Sequence, residues 1–519
     1  MSLPRRLAAP PSEWDREVDV LVIGAGVAGW CAALSCLPAR SVLLVTKDAV
    51  DTEVTVSLDG ALAVVAERLD LVPEDRRRWL AAAGGGLADL GLAAELAGDV
   101  PVARRSLRSL ADLVDPDGPG HSLAAAALAG GVEVMGRTFA LDLVVGLDRT
   151  GSDRCAGATV ARTDANGAVQ AVGTIRAHDV VLATGGLGQV YSSAGCPAGD
   201  SGDGVAMALR AGVAVTDLEF VGFEPLVMWR GPDAVGAQHA VPAALLAAGA
   251  RLVDPSGAPL PISDLDDRTV CVTIADRLAS VPAGVDDHVL LDLSGLAAEL
   301  GEVAPGLVDA CTAVGLDPLA EPIPVAPSAA RSVGGIRADL DGRTSLGGLR
   351  AVGAVACTGV DGGDVSGGND LLHAAVVGAR TGRSLAWERT TPVRVPPGDA
   401  EANDLLFDPV RVREVRATMS RHVGPVRSAA SLASATAAVG TLARSLGAGS
   451  AERGPVEPSR RSWEATNLLT VAAGVVAAAS ARPETCGGHV RSDSIDAPTT
   501  PHLDVVLDVT GVVSAQPDR

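Results

Sequence analysis

A chain of 519 residues can bury a large core and suggests about three domains at roughly 150 residues each. Charged residues make up 20% of it and apolar residues 47%, which excludes general disorder. Its 42 basic and 63 acidic side chains leave a net charge of -21, a sign that repels nucleic-acid phosphates. The opening MSLPRRLAAPPSEWDREVDV has arginines but no apolar run behind them, so no secretory leader is expected. The first predicted strand is Asp19 to Ile23, and the Gly24-Ala25-Gly26-Val27-Ala28-Gly29 that follows fits GxGxxG. Val27 to Leu37 reads as a helix and Ser41 to Thr46 as a second strand. In that frame Gly24 permits the tight turn, Gly26 lets a pyrophosphate approach the backbone, and Gly29 allows close helix–strand contact.

An acidic residue normally follows the second strand of such a unit. Here Thr46-Lys47 stands there with Asp48 beyond, so this unit alone does not separate FAD from NAD. Further on, His178 to Gly186 (HDVVLATGG) is an apolar strand ending in Ala183-Thr184-Gly185-Gly186, a pattern that passes beside FAD in flavoproteins. Leu349 to Gly359 is a third apolar strand with a glycine turn, so the dinucleotide-binding domain is expected to resume after an insertion. Near the end, Leu432, Ala435, Val439, Leu442 and Leu446 alternate three and four spacing, as one helix face does. The longest apolar run, Leu468 to Ala481, falls short of the roughly 18–20 residues of a membrane span. A cytoplasmic protein without membrane contact is expected.

Composition adds two points. Aromatics are only 2%, with Tyr191 the single tyrosine, and Lys47 is the only lysine, a mix that coding bias explains. The eight cysteines form no CxxC pair or Cys/His ligand spacing, so free thiols and no metal are expected.

Taken in order, several segments resemble the L-aspartate oxidase family, relatives of the succinate dehydrogenase and fumarate reductase flavoprotein subunits. They are the fingerprint with VLLVTK, then RTFALDLVV, VVLATGGLGQVY and GDGVAMALRAGVAVTDLEF. GARLVDPSG, IPVAPSAARSVGGI, AVGAVACTGV, WEATNLLTVAAGVVAAA and ETCGGHVRSD continue the likeness. The resemblance implies an α/β fold: a Rossmann-like FAD-binding domain, an inserted α+β capping domain and a C-terminal helical domain. Its boundaries would be 1–226 and 333–400 for FAD, 227–332 for the cap, and 401–519 for the helical domain and tail. The Pro-, Thr- and Asp-containing tail beyond about 497 is expected to be frayed.

The resemblance further implies oxidation of L-aspartate to iminoaspartate with hydride transfer to FAD, feeding NAD biosynthesis. Cofactor positions would be Gly24, Ala25, Gly26, Val27, Ala28, Gly29, Thr46, Lys47, Gly60, Thr184, Gly185, Asp203, Asp370 and Leu371. Ala354 stands where the family has an acid that contacts FAD.

The substrate side departs from the family. Glu224 and Leu226 stand in the histidine and threonine slots of its Phe-His-Pro-Thr stretch, and Leu246 in the arginine acid/base slot. Ala243 and Ala248 fill two glutamate slots, Ala330 replaces a histidine, and Val365 replaces the arginine that grips a carboxylate. His121 keeps a family position without its glutamate neighbour. Asp361 and Asp364 are added carboxylates and Arg331 is the one new cation, so a dicarboxylate site becomes acidic on balance. The Asp-Gly-Gly-Asp stretch lacks the ligand count of a calcium loop. Family activity is therefore not expected. The alternatives are an FAD oxidoreductase for a neutral or cationic amine, with Glu224 as base and Arg331 as anchor, or a non-catalytic paralogue that binds or scaffolds.

Overall fold

The computed structural model describes residues 3–37, 39–50, 84–111, 127–281, 287–296, 300–304, 306–364, 369–388, 393–395, 405–448, 454–494 and 499–517. A seven-stranded sheet carries the fingerprint. It runs β3 (Glu133–Met135), β2 (Val42–Val45), β1 (Trp14–Ile23), β6 (Val169–Leu182), β5 (Asp153–Thr163), β4 (Thr138–Leu147), with β13 (Leu349–Ala351) also on β6. The β1, β2, β3, β6 and β13 pairings are parallel; β4–β5 and β5–β6 are antiparallel. Along β1, Leu21 and Ile23 enter one apolar cluster while Val20 and Val22 enter another, so the sheet is covered on both faces, as a parallel core requires.

Helix α1 (Val27–Cys36) packs on α5 (Asn369–Trp387) backbone to backbone. A Cβ on Gly378 would lie 2.5 Å from Ala28 O and one on Gly382 2.3 Å from Ala32 O. A chain poor in aromatics fills its core this way, with glycine and alanine letting helices approach closely.

A second, four-stranded sheet is antiparallel: β8 (Val221–Met228), β11 (Ile323–Ser332), β10 (Val289–Asp292), β9 (Arg251–Val253). It has its own core, with α4 (Asp267–Ala279) contributing Val270 and Ile274. The C-terminal helices are α6 (Val412–His422), α7 (Ala429–Ala443) and α8 (Arg460–Ala481). Leu432, Ala435, Val439 and Leu442 form the buried face of α7, and Leu446 packs just beyond its end.

Two expectations are corrected. The tail is not frayed: Leu503–Leu507 and Val513–Pro517 form a hairpin whose first strand pairs with Val215–Thr216. Leu503, Val505 and Leu507 alternate into the core, a period-2 signal blurred by the apolar Val506 between two of them. The apolar run from Leu468 belongs to a helix of 22 residues, long and apolar enough to cross a membrane, but 78% of its apolar window is buried inside the protein. Among the described residues the eight cysteines are free and no metal-binding cluster occurs.

Candidate functional site: a cofactor cavity and an altered substrate side

The C-terminal ends of β1, β2 and β6 open onto a cavity of about 650 Å³. Gly24, Ala25, Gly26, Val27, Ala28, Thr46, Lys47, Thr184, Gly185, Asp203, Asp370 and Leu371 all line it. Gly29 lies just behind: its Cβ would meet Gly24 O at 2.1 Å, so its job is helix–strand contact. Gly60 lies outside the described residues, as do His121 and Val365. Ala354 also lines the cavity, with no carboxylate to offer.

The cavity fits FAD on structural grounds. Gly24 sits at φ +113°, and a Cβ there would lie 2.1 Å from Ala183 O, so only glycine makes the turn. Gly26 has nothing within 4 Å of its Cβ position, which leaves room for a phosphate. Helix α1 starts there with no side-chain cap and no acid in its first turn, so its partial positive charge is left for an anion. Thr184 also lines the cavity, its Oγ1 buried against Gly204 and without a hydrogen-bond partner among the described residues.

Behind the wall lies a network that the sequence reading missed. Lys47 Nζ donates to Ser201 Oγ at 2.6 Å and Asp203 Oδ2 at 2.7 Å, and pairs with Glu464 Oε1 at 2.9 Å. Asn467 Nδ2 donates to Asp203 Oδ1 at 2.7 Å, and Asn467 Oδ1 accepts from Arg210 Nη1 at 2.7 Å. Burial opposes the charge on Lys47, but Asp203 and Glu464 outweigh it and hold the ammonium pKa above its ordinary value. Burial likewise pushes Asp203 up, yet Lys47, Asn467 and Ser201 hold it below the usual carboxylate range. The signal was the single lysine: a buried ammonium needs carboxylates, and WEATN supplies one. Asp200, also missed, lines the same cavity, and burial raises it to about 6 against the pull of Gly186 N–H and Lys47.

The side that the family resemblance assigns to substrate is built on β8 and β11. Ser328 pairs with Glu224 and Ala329 with Phe223, then the register slips, leaving Ala330 as the extra residue before Arg331 meets Gly222. Glu224 Oε2 and Ala330 Cβ converge over Gly195, 3.4 and 3.6 Å from its Cβ position. Arg331 Nη1 donates to Glu224 Oε1 at 3.3 Å. Arg331 Nε and Asp364 Oδ1 both approach Gly222, 3.6 and 3.4 Å from its Cβ position. The two residues named for the chemistry are thus brought together, as partners of each other.

Leu226 and Leu246 are buried, 1% and 7% exposed, in the apolar core of the second sheet. Burial, with Asp370 and Asp364 nearby, pushes Asp361 up to about 7, and its Oδ1 has no hydrogen-bond partner.

Known proteins agree with this geometry. The chain matches the FAD binding domain family over residues 19–118 and 91–371, and the fumarate reductase flavoprotein C-terminal family over 412–503. It is 36% identical to the L-aspartate oxidase of Streptomyces coelicolor, across 99% of this chain and 94% of that one. The L-aspartate oxidase of Mycobacterium bovis is 34% identical, across 92% and 93%. In fold it is similar to Mycobacterium smegmatis Sdh1 in the apo form (TM-score 0.77, 21% identity, 98% and 95% coverage) and to a quinol-fumarate reductase (0.74, 21%, 97% and 98%). With the cofactor cavity and these likenesses together, the chain belongs to the L-aspartate oxidase family of FAD flavoproteins.

Proposed function

We propose that this flavoprotein binds FAD and does not oxidise L-aspartate. The observation that carries the reading is the Glu224–Arg331 ion pair: the one cation gained on the substrate side is engaged by a carboxylate of the same side. A dicarboxylate needs cations at both ends, and here Leu226 and Leu246 turn into an apolar core while Ala330 offers a methyl group. Each charge-assisted hydrogen bond contributes about 1.5–3 kcal/mol, so losing two weakens such a ligand by roughly 100- to 10,000-fold.

A second reading is favoured by the added carboxylates. Glu224, Asp361 and Asp364 would attract a cationic or neutral amine, with Glu224 Oε2 taking its proton and Arg331 holding that carboxylate in place. When bound, FAD supplies the hydride acceptor. The FAD-loaded protein mixed with L-aspartate without oxygen is expected to keep its visible flavin absorption. Bleaching by aspartate would overturn the proposal, and bleaching by a primary amine alone would select the second reading.

A further inference from the structure

Helix α8 lies more than 400 residues beyond the fingerprint in the chain, yet three of its side chains hold the cofactor cavity from behind. Arg460, Glu464 and Asn467 are spaced four and three apart, which places them on one helix face. Arg460 Nη1 donates to Lys47 O at 2.7 Å and its Nη2 to Asp48 Oδ1 at 2.7 Å. Glu464 pairs with Lys47 Nζ at 2.9 Å, and Asn467 bonds Asp203 at 2.7 Å. Lys47 and Asp203 are both cavity-wall residues. The three ammonium protons of Lys47 are taken by Ser201, Asp203 and Glu464, all on the protein side. The lysine therefore acts here as a tie between the end of β2, the helix Asp203–Arg210 and α8.

We infer that Glu464 is a positioning residue for FAD: through Lys47, helix α8 keeps the cavity wall in its binding shape, so FAD binding and the docking of α8 reinforce each other. A carboxylate removed from a buried ammonium leaves that charge short of a partner, and the lysine must turn toward the cavity or toward water to find one. Either movement disturbs the wall that FAD meets. Coupling between two sites is reciprocal, so bound FAD must in turn stabilise the first turns of α8.

The test measures FAD affinity by flavin fluorescence in Glu464→Gln, against Glu414→Gln on α6 as control. Among the described residues Glu414 bonds Arg411 alone, through both carboxylate oxygens, so the charge change is the same without the tie. Glu464→Gln is expected to bind FAD about tenfold more weakly, within the roughly 5- to 150-fold range of such couplings. Glu414→Gln is expected to bind as the parent does. Because Lys47 carries the effect, Lys47→Met combined with Glu464→Gln should lose no more affinity than Lys47→Met alone. A purely structural role would instead make the two losses add. In the unaltered protein, FAD should slow amide hydrogen exchange over residues 460–467. Glu464→Gln that is folded and binds FAD as tightly as the control overturns the inference. Should that variant fail to fold, exchange over 460–467 that ignores FAD overturns it equally.

Discussion

The cofactor side and the substrate side each centre on a basic residue facing acids, and the two differ in how completely their polar groups are used. Around Lys47 every ammonium proton has a partner, and Asp203 accepts on both oxygens. Around Arg331 one guanidinium nitrogen bonds Glu224, while Arg331 Nε, Ser328 Oγ, Ser193 Oγ and Asp361 Oδ1 are buried with no hydrogen-bond partner. Buried polar groups are nearly always bonded, so a cluster of orphans is unusual and is the polarity a bound ligand would satisfy. Thr184 Oγ1, on the cofactor side, is also buried without a partner among the described residues, set against Gly204, whose Cβ position it approaches to 2.2 Å. The Lys47 network is thus saturated, while the surroundings of Arg331 are not.

The sharpest way to break the comparison is at the fingerprint glycines. Gly24→Ala forces a methyl to within 2.1 Å of Ala183 O at a φ of +113°, and should lose bound FAD along with about 2–4 kcal/mol of stability. Gly26→Ala has a free Cβ position at φ -79°, so the apoprotein should melt within about 0.5 kcal/mol of the parent while FAD binding falls. Urea melts and flavin retained through purification separate the two. Equal losses in both variants would mean that the space over Gly26 is not where the cofactor lies.

A smaller effect is expected at Asp361, whose folded pKa of about 7 stands above its ordinary 3.8 because of burial, then Asp370 and Asp364. Between those values the folded protein holds a proton that the unfolded chain has lost, so stability falls as pH rises from about 4 to about 7. Above that window the penalty is complete. Asp361→Asn should remove it, making the variant more stable than the parent by on the order of 2 kcal/mol at pH 8. The gap should close as pH approaches 4. A variant that is less stable at pH 8 would show that Asp361 has a favourable partner as a carboxylate, and would weaken the picture of an acidic, unsatisfied substrate side.

What the sequence discloses follows the same division. GxGxxG between two apolar strands states a geometry outright, and Gly24, Gly26, Thr184 and Gly185 do meet at one cavity. The replacements that the resemblance implies at Leu226, Leu246 and Ala330 are read from the sequence alone, because each would be a local change of side-chain chemistry. Of the Lys47 tie only the need for carboxylates was legible, from the single lysine: its partners Ser201, Asp203 and Glu464 are 154 to 417 positions away, and nothing local picks them out. Nor was the tail hairpin, whose strand Leu503–Leu507 joins a sheet through Val215–Thr216. Arg331 is legible as a new cation that would pair with one of the added carboxylates; that Glu224 is the partner depends on the bulge at Ala330, a backbone slip that no side-chain pattern announces.

The last comparison is the most discriminating, because the two sides predict opposite signs for one substitution. Ser201 and Ser328 are both buried, at 3% and 0% exposed. Ser201 Oγ accepts from Lys47 Nζ at 2.6 Å and donates to Asp203 Oδ2 at 2.8 Å, so it closes a charged triangle. Ser201→Ala strips a bond from an ammonium and from a carboxylate that have no water to replace it, and should destabilise by about 1.5–3 kcal/mol. Ser328 lies opposite Glu224 in the register, yet its Oγ bonds nothing. A buried hydroxyl without a partner is unfavourable by about 1–3 kcal/mol relative to a bonded one, and a methyl of similar size removes that penalty. Ser328→Ala should therefore leave stability unchanged or raise it by about 1 kcal/mol. Denaturant melts of the two variants at equal pH decide the matter. If Ser328→Ala destabilises as Ser201→Ala does, the hydroxyl has a partner in solution, and the substrate side is as fully built as the cofactor side.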